Sequence, residues 1–145
     1  MTASFEVEAL SLASAEQVFA VLADVPRWHE WAGPAVPASS YARQGADAPG
    51  GVGAIRKLGL GPLSSREEIV VYEPPGHLAY VLLTGQGWHH YRADVHLNPL
   101  PTGGTRIVWT GCFQAPLGLR RPLTAAFRRL VGGFARRLAA RAELA

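Results

Sequence analysis

Residues 120–144 constrain this chain more than any other stretch, because they read as one long amphipathic helix that needs a partner surface. Leu123, Phe127, Leu130, Phe134 and Leu138 recur at steps of three and four and so share one face. On a helical wheel, Arg121, Arg128, Arg129 and Arg136 fall on the opposite side. From Pro122 onward such a helix could run roughly 30 Å, at about 1.5 Å per residue, and so cross a small domain. Gly132 and Gly133 interrupt it at a cost of about 1 kcal/mol each relative to alanine. The wheel puts Gly132 among the arginines and Gly133 on the flank, which favours a bend that fits the helix to a sheet over space cleared for a ligand.

A chain of 145 residues with 48% hydrophobic and 17% charged side chains can bury a genuine core, and residues 1–145 read as a single domain. No apolar run approaches the ~18 residues of a membrane span. The first twelve residues carry Glu6 and Glu8 and lack the basic start and apolar core of a signal peptide. Cys112 is the only cysteine, which excludes an internal disulfide and fits a reducing compartment. The expectation is a soluble, cytoplasmic protein. The net charge of +3 is uneven: residues 1–119 hold seven basic and ten acidic side chains, whereas residues 120–145 hold seven arginines and one glutamate. That basic face could meet an acidic membrane or partner. A solvated helix face in an arginine-rich, lysine-poor chain is the preferred explanation.

In chain order, Phe5, Val7 and Ala9 alternate with Glu6, Glu8 and Leu10 in a first strand. Ser14 and Gln17 fit a capping box, followed by a helical stripe of Val18, Phe19 and Leu22 that ends near Asp24. Pro26 can begin a second short helix carrying Trp28 and Trp31 on one side. Residues 33–53 are rich in Gly, Pro, Ala and Ser, with a short strand at 39–43. Strand patterns then follow at 54–58, 65–73, 78–84, 89–98 and 105–113, separated by turn-forming pieces such as Pro74-Pro75-Gly76. Short connections favour antiparallel pairing, and the order of elements is α+β.

Strand parity selects the residues that would meet the helix. Tyr91, Ala93, Val95 and Leu97 share a face, which His89 joins by alternation. Ile107, Trp109, Gly111 and Phe113 form the comparable set in the last strand, with Tyr80 and Leu82 from the strand before. The inward surface is therefore aromatic and apolar, with a few polar tips.

Several motifs add to this order: the segment from Asp24 to Trp31 (Asp-Val-Pro-Arg-Trp-His-Glu-Trp), Gly51-Val-Gly53, Arg66-Glu-Glu-Ile through Glu73-Pro-Pro, Tyr91 through Pro99, Gly103-Gly-Thr-Arg-Ile-Val-Trp109 and the terminal helix. Together they resemble the START-like superfamily, in particular bacterial members labelled polyketide cyclase/dehydrase or lipid-transport proteins. The resemblance covers nearly the whole chain. It implies a helix-grip fold, a curved antiparallel β-sheet wrapped around a long C-terminal α-helix, with two short helices after the first strand. It implies a hydrophobic cavity between them, and no single activity.

The common catalytic signatures are missing. Gly51-Val-Gly53 lacks the third glycine of a dinucleotide fingerprint, and neither a phosphate loop nor a Gly-x-Ser-x-Gly turn occurs. His29-Glu30 lacks the second histidine of a zinc-protease helix. His89 and His90 are adjacent and face opposite ways, and His90 and His96 lie roughly 20 Å apart along a strand. No metal site and no cofactor are expected. Cys112 falls off the inward face and reads as a small strand residue.

Three functions remain. The first is a carrier or sensor that binds a small hydrophobic ligand, a lipid or polyketide-like molecule, lined by Trp31, Tyr80, Tyr91, Trp109, Phe113, Phe127, Leu130 and Phe134. The second is a cyclase, dehydratase or aromatase in the same cavity, with His89 as acid or base and Tyr91 or an arginine such as Arg66 polarising a carbonyl. The third is an interaction module using the arginine face. Nucleic acid is not expected, because no aromatic residues interleave those arginines to stack bases. Homodimerisation stays open.

Overall fold

The computed structural model describes residues 2–47, 49–60, 64–84 and 89–144. The turns expected around residues 59–62 and 85–87 lie largely outside them. The elements are β1 (Thr2–Ser11), α1 (Ala15–Ala23), a 3-10 helix (Val25–Glu30), β2 (Ser39–Arg43), β3 (Ile55–Leu58), β4 (Ser65–Glu73), β5 (His77–Leu82), β6 (His89–Pro99), β7 (Thr105–Gln114) and α2 (Leu117–Ala142). The strands form one antiparallel sheet in the order β1-β7-β6-β5-β4-β3-β2. All seven follow chain order except β1, which closes the β7 edge. With α2 packed against the sheet, this is the helix-grip fold expected from the α+β pattern.

Local chemistry explains the element boundaries. Ser14 Oγ accepts from the Gln17 amide at 3.2 Å while Gln17 Oε1 accepts from the Ser14 amide at 2.9 Å, which satisfies both ends of the α1 capping box. Val18 and Leu22 of α1 are fully buried, and so is Trp28, whose Nε1 donates to the Leu22 carbonyl at 2.8 Å. In β7 burial alternates strictly from Thr105 to Phe113, the period of two of a sheet with one covered face.

The terminal helix departs from its sequence reading in three ways. It starts at Leu117, behind Pro116, so Pro122 lies inside it. A helical φ suits proline, and the ring costs one backbone bond in the second turn. Leu130 is 40% exposed, and the buried stripe runs through Val131, Phe134, Ala135, Leu138, Ala139 and Ala142 instead. The lining role expected of Leu130 is therefore corrected: the helix is rotated about one residue from the idealised wheel. Finally, Gly132 and Gly133 are buried, with the guanidinium groups of Arg136 and Arg137 nearest to them. A Cβ on Gly132 would lie 3.7 Å from Val7 Cγ1, an ordinary packing distance, so this position faces β1 without requiring a glycine.

Polar contacts pin the end of α2. Ser11 Oγ donates to the Ala139 carbonyl at 2.8 Å, and the Leu12 amide donates to Glu143 Oε2 at 2.8 Å. Arg141 Nη2 reaches Glu30 Oε1 at 2.6 Å, and Arg137 Nη1 reaches the Ala32 carbonyl at 3.3 Å. Two of the seven terminal arginines thus tie the helix to the segment after α1. The first half of α2 is only half-covered, with Leu117 78% exposed.

Candidate functional site

The inner face carries one charge pair, set by strand register. In β3, Arg56 shares the covered side with Leu58 and with Ala54 just before the strand, and its cross-strand partner in β4 is Glu67. Arg56 is fully buried and Glu67 nearly so, and Arg56 Nη2 meets Glu67 Oε1 at 2.6 Å. The guanidinium lies 4.6 Å from the Trp28 ring centroid and 4.3 Å from that of Tyr80. Both rings turn their negative faces to the cation. Nε and Nη1 of Arg56 have no hydrogen-bond partner, and neither has the buried Nε1 of Trp31, whose ring packs 4.8 Å from Trp28. Each unmet buried donor costs about 1–3 kcal/mol, so an arrangement that leaves several invites an acceptor.

Around this pair the aromatic side chains form two clusters. Trp109 and Phe134 pack beside Trp28, with centroids 6.3 and 6.0 Å from it. Further along, Tyr91 lies 5.0 Å from Phe127 and 6.3 Å from Phe113, and Phe5 stacks on Phe127 at 6.0 Å. Gly111, the register partner of Phe5, makes room for that ring: a Cβ there would collide with Phe5 Cζ. Trp109 Nε1 donates to the Tyr80 hydroxyl at 3.3 Å. Burial pushes the pKa of both Tyr80 and Tyr91 well above the usual phenol range; the nearby Glu67 charge acts in the same direction. Both hydroxyls are thereby held in the protonated form, which can donate a hydrogen bond.

The structure therefore brings Tyr80, Tyr91, Trp109, Phe113 and Phe134 together on the inner face, with Phe127 half-buried above them and Trp31 at the side. It does not bring His89 there. His90 has φ +54°, and the register shifts between His89 and Arg92, so His89 pairs with Gln114 and both are exposed. One extra residue in a strand flips the side chains beyond it, which corrects the alternation that had placed His89 beside Tyr91. Arg66 is exposed as well, and Arg56 takes the inner position instead. Sequence reading missed Arg56 and Glu67 because a charged residue in an apolar alternation looks like a parity break. The signal was the matched position of two opposite charges in neighbouring strands.

Grooves on the surface surround this core. One of about 720 Å³ runs between α1 and the ends of β2 and β4, bordered by Phe19, Tyr41, Tyr72, Pro74 and Pro75 and by the acids Glu16 and Asp24. A second, of about 460 Å³, lies between α1 and the end of α2 and reaches Trp31. Neither includes Arg56, Tyr80 or Tyr91. The larger groove has more room, whereas the unmet donors of Arg56 lie inside, against the Trp28 and Tyr80 rings; chemistry rather than volume marks the inner face as the candidate site.

Residues 2–143 match the model of the family described as polyketide cyclase/dehydrase and lipid transport. The chain belongs to that family. The polyketide cyclase/dehydrase and lipid-transport family falls within the START-like superfamily, and solved structures with the same fold agree. The Zhui aromatase/cyclase from Streptomyces sp. R1128 superposes with a TM-score of 0.77 at 19% identity, over 99% of this chain and 94% of that one. A point mutant of norcoclaurine synthase from Thalictrum flavum, in complex with a transition-state analogue, gives 0.73 at 14% identity, over 98% and 94%. Ara h 8.0201 gives 0.71 at 13% identity over the whole of both chains. No curated protein matches the sequence. At these identities the likeness shows the fold, and family membership suggests hydrophobic-ligand binding or cyclase-type chemistry. No helix among the described residues is long and apolar enough to cross a membrane.

Proposed function

We propose that this protein binds a small, largely apolar ligand, lipid or polyketide-like, that carries a carbonyl or carboxylate oxygen. The oxygen is received by Arg56, and the skeleton lies between the sheet and α2 against Trp109, Phe127 and Phe134. The observation that carries this reading is the buried guanidinium with two unmet N–H groups among aromatic rings. A cation held in a dry aromatic setting is a strong acceptor-seeking group, and its pairing with Glu67 through Nη2 leaves Nε and Nη1 for the ligand. The half-covered first half of α2, including Phe127, offers the ligand its route.

Tryptophan quenching by 2-naphthoic acid and by naphthalene tests the reading. The acid should bind more tightly than the hydrocarbon, and Arg56→Met should weaken the acid by about 10–100-fold, the worth of a charged hydrogen bond, while sparing naphthalene. Wild-type affinity for the acid in Arg56→Met would sink it. Native mass spectrometry with solvent extraction of the purified protein would supply the natural ligand's class.

A second reading, an enzyme of the cyclase type, draws on family membership and on Tyr80 and Tyr91. Two protonated phenols and a guanidinium could stabilise an enolate oxygen. Glu67 is the only buried carboxylate among the described residues and would have to act as the base while held by Arg56. His89 has no part in this version. Turnover of a polyketide-like substrate that survives both Tyr91→Phe and Glu67→Gln would dispose of it.

A further inference from the structure

On the other face of the same sheet, β5 and β6 bring together three side chains with metal-ligating atoms. His77 and His96 are register partners on adjacent strands, and their rings stack with centroids 4.1 Å apart and planes 21° from parallel. Asp94 stands two residues before His96, so it shares the outer face. His77 Nε2 lies 2.7 Å from Asp94 Oδ2, and one ligand atom from each of the three residues falls within 4.8 Å of the others. All three are partly buried.

We propose that His77, Asp94 and His96 bind a divalent transition-metal ion of the Zn²⁺ type. Two imidazoles and a carboxylate form a donor set suited to Zn²⁺, and three protein ligands leave a fourth position for water. Metal–ligand bonds of about 2.0–2.2 Å would draw together donor atoms that now lie within 4.8 Å of one another, with the stacked imidazoles turning toward the ion. Two surrounding contacts fit the role. Glu73 Oε1 is 3.5 Å from His77 Nδ1, so it can hold the proton on that nitrogen and leave Nε2 for the ion. Arg92 grips Asp94 through Nε to Oδ1 at 3.0 Å and Nη2 to Oδ2 at 3.2 Å, which orients the carboxylate. The cost is repulsion between the guanidinium and the ion, which keeps the affinity modest. A simple His77–Asp94 ion pair does not account for His96: its ring has no hydrogen-bond partner among the described residues and lies flat against a second imidazole. A shared ion gives both rings a reason to face one way.

Isothermal titration with ZnCl₂ on tag-free protein in a non-chelating buffer tests the site, paired with thermal melts. The expected result is saturable binding of one ion per chain with a rise in Tm. His77→Ala and His96→Ala should each abolish it, and Arg92→Gln should strengthen it several-fold. His89→Ala/His90→Ala should leave it unchanged. The Co²⁺-substituted wild-type protein should show the visible absorption of a four-coordinate site, a readout that survives any failure of the variants to fold. Absence of saturable binding, or binding that persists in the His77→Ala/His96→Ala double variant, overturns the proposal.

Discussion

Two cross-strand charge clusters of the sheet, Arg56 with Glu67 on one face and His77 with Asp94 on the other, obey the same pairing rule and end in opposite physical situations. Inside, Arg56 and Glu67 face each other in a dry aromatic layer. Outside, His77, Asp94 and Arg92 meet in partial contact with solvent. Water decides the difference. The inner pair has shed its hydration, so each charge depends on the other and an unmet donor is expensive. The outer group can lose a partner to water and keeps most of its solvation. A buried charge cluster is a recognition device that the fold tolerates at a cost, whereas a half-exposed one is free to exchange partners.

The largest effect should come from breaking the inner pair on one side. Glu67→Ala leaves the Arg56 charge buried without compensation and should cost about 3–5 kcal/mol by urea denaturation. The double variant Arg56→Met/Glu67→Leu should recover most of that loss while losing the carboxylate ligand. If the single and double variants are equally unstable, the two residues are not acting as a pair. Next in size is Gly111→Ala, which forces the Phe5 ring out of its place and should cost about 1–3 kcal/mol by the same measurement.

Titration separates the two faces without mutation. Tyr80 and Tyr91 have folded pKa values above their unfolded ones, chiefly through burial. Their contribution to stability is therefore complete below the unfolded phenol value of about 10 and declines as pH rises beyond it. Denaturant midpoints should fall above about pH 10, and the ultraviolet phenolate signal of these two residues should appear only with unfolding. An early, reversible phenolate signal from all four tyrosines would show the inner face to be wet.

Much of this architecture was legible in the chain. The capping box at Ser14, the alternation in β7 and the turn residues between strands each act over a few neighbours, so local pattern suffices for them. The inner aromatic set followed from alternation in β6 and β7. His89 did not, because the bulge at His90 depends on how β6 registers against β7, which no periodicity within one strand reveals. Leu130 failed for a related reason. The rotation of α2 about its axis is set by what packs against it, chiefly β1. Arg56 with Glu67, and His77 with His96, are relations between strands: the residues were visible and their meeting was not.

The smallest effect should come from the outer face, at Asp94. Partial burial opposes its ionisation, but hydrogen bonds from Arg92 and His77, with their charges, outweigh that and hold its pKa below the usual carboxylate value. A depressed folded pKa means that its stabilisation is present above the unfolded value of about 3.9 and is lost as pH falls through the lower folded value. Because the carboxylate is partly exposed, Asp94→Asn should cost only about 0.2–1 kcal/mol at neutral pH, and less in high salt. As pH falls below about 4 the variant and the wild type should draw together, meeting only below the depressed folded value. A loss as large as that of Glu67→Ala would mean that the outer cluster is as dry as the inner one, and the contrast between the two faces would fail.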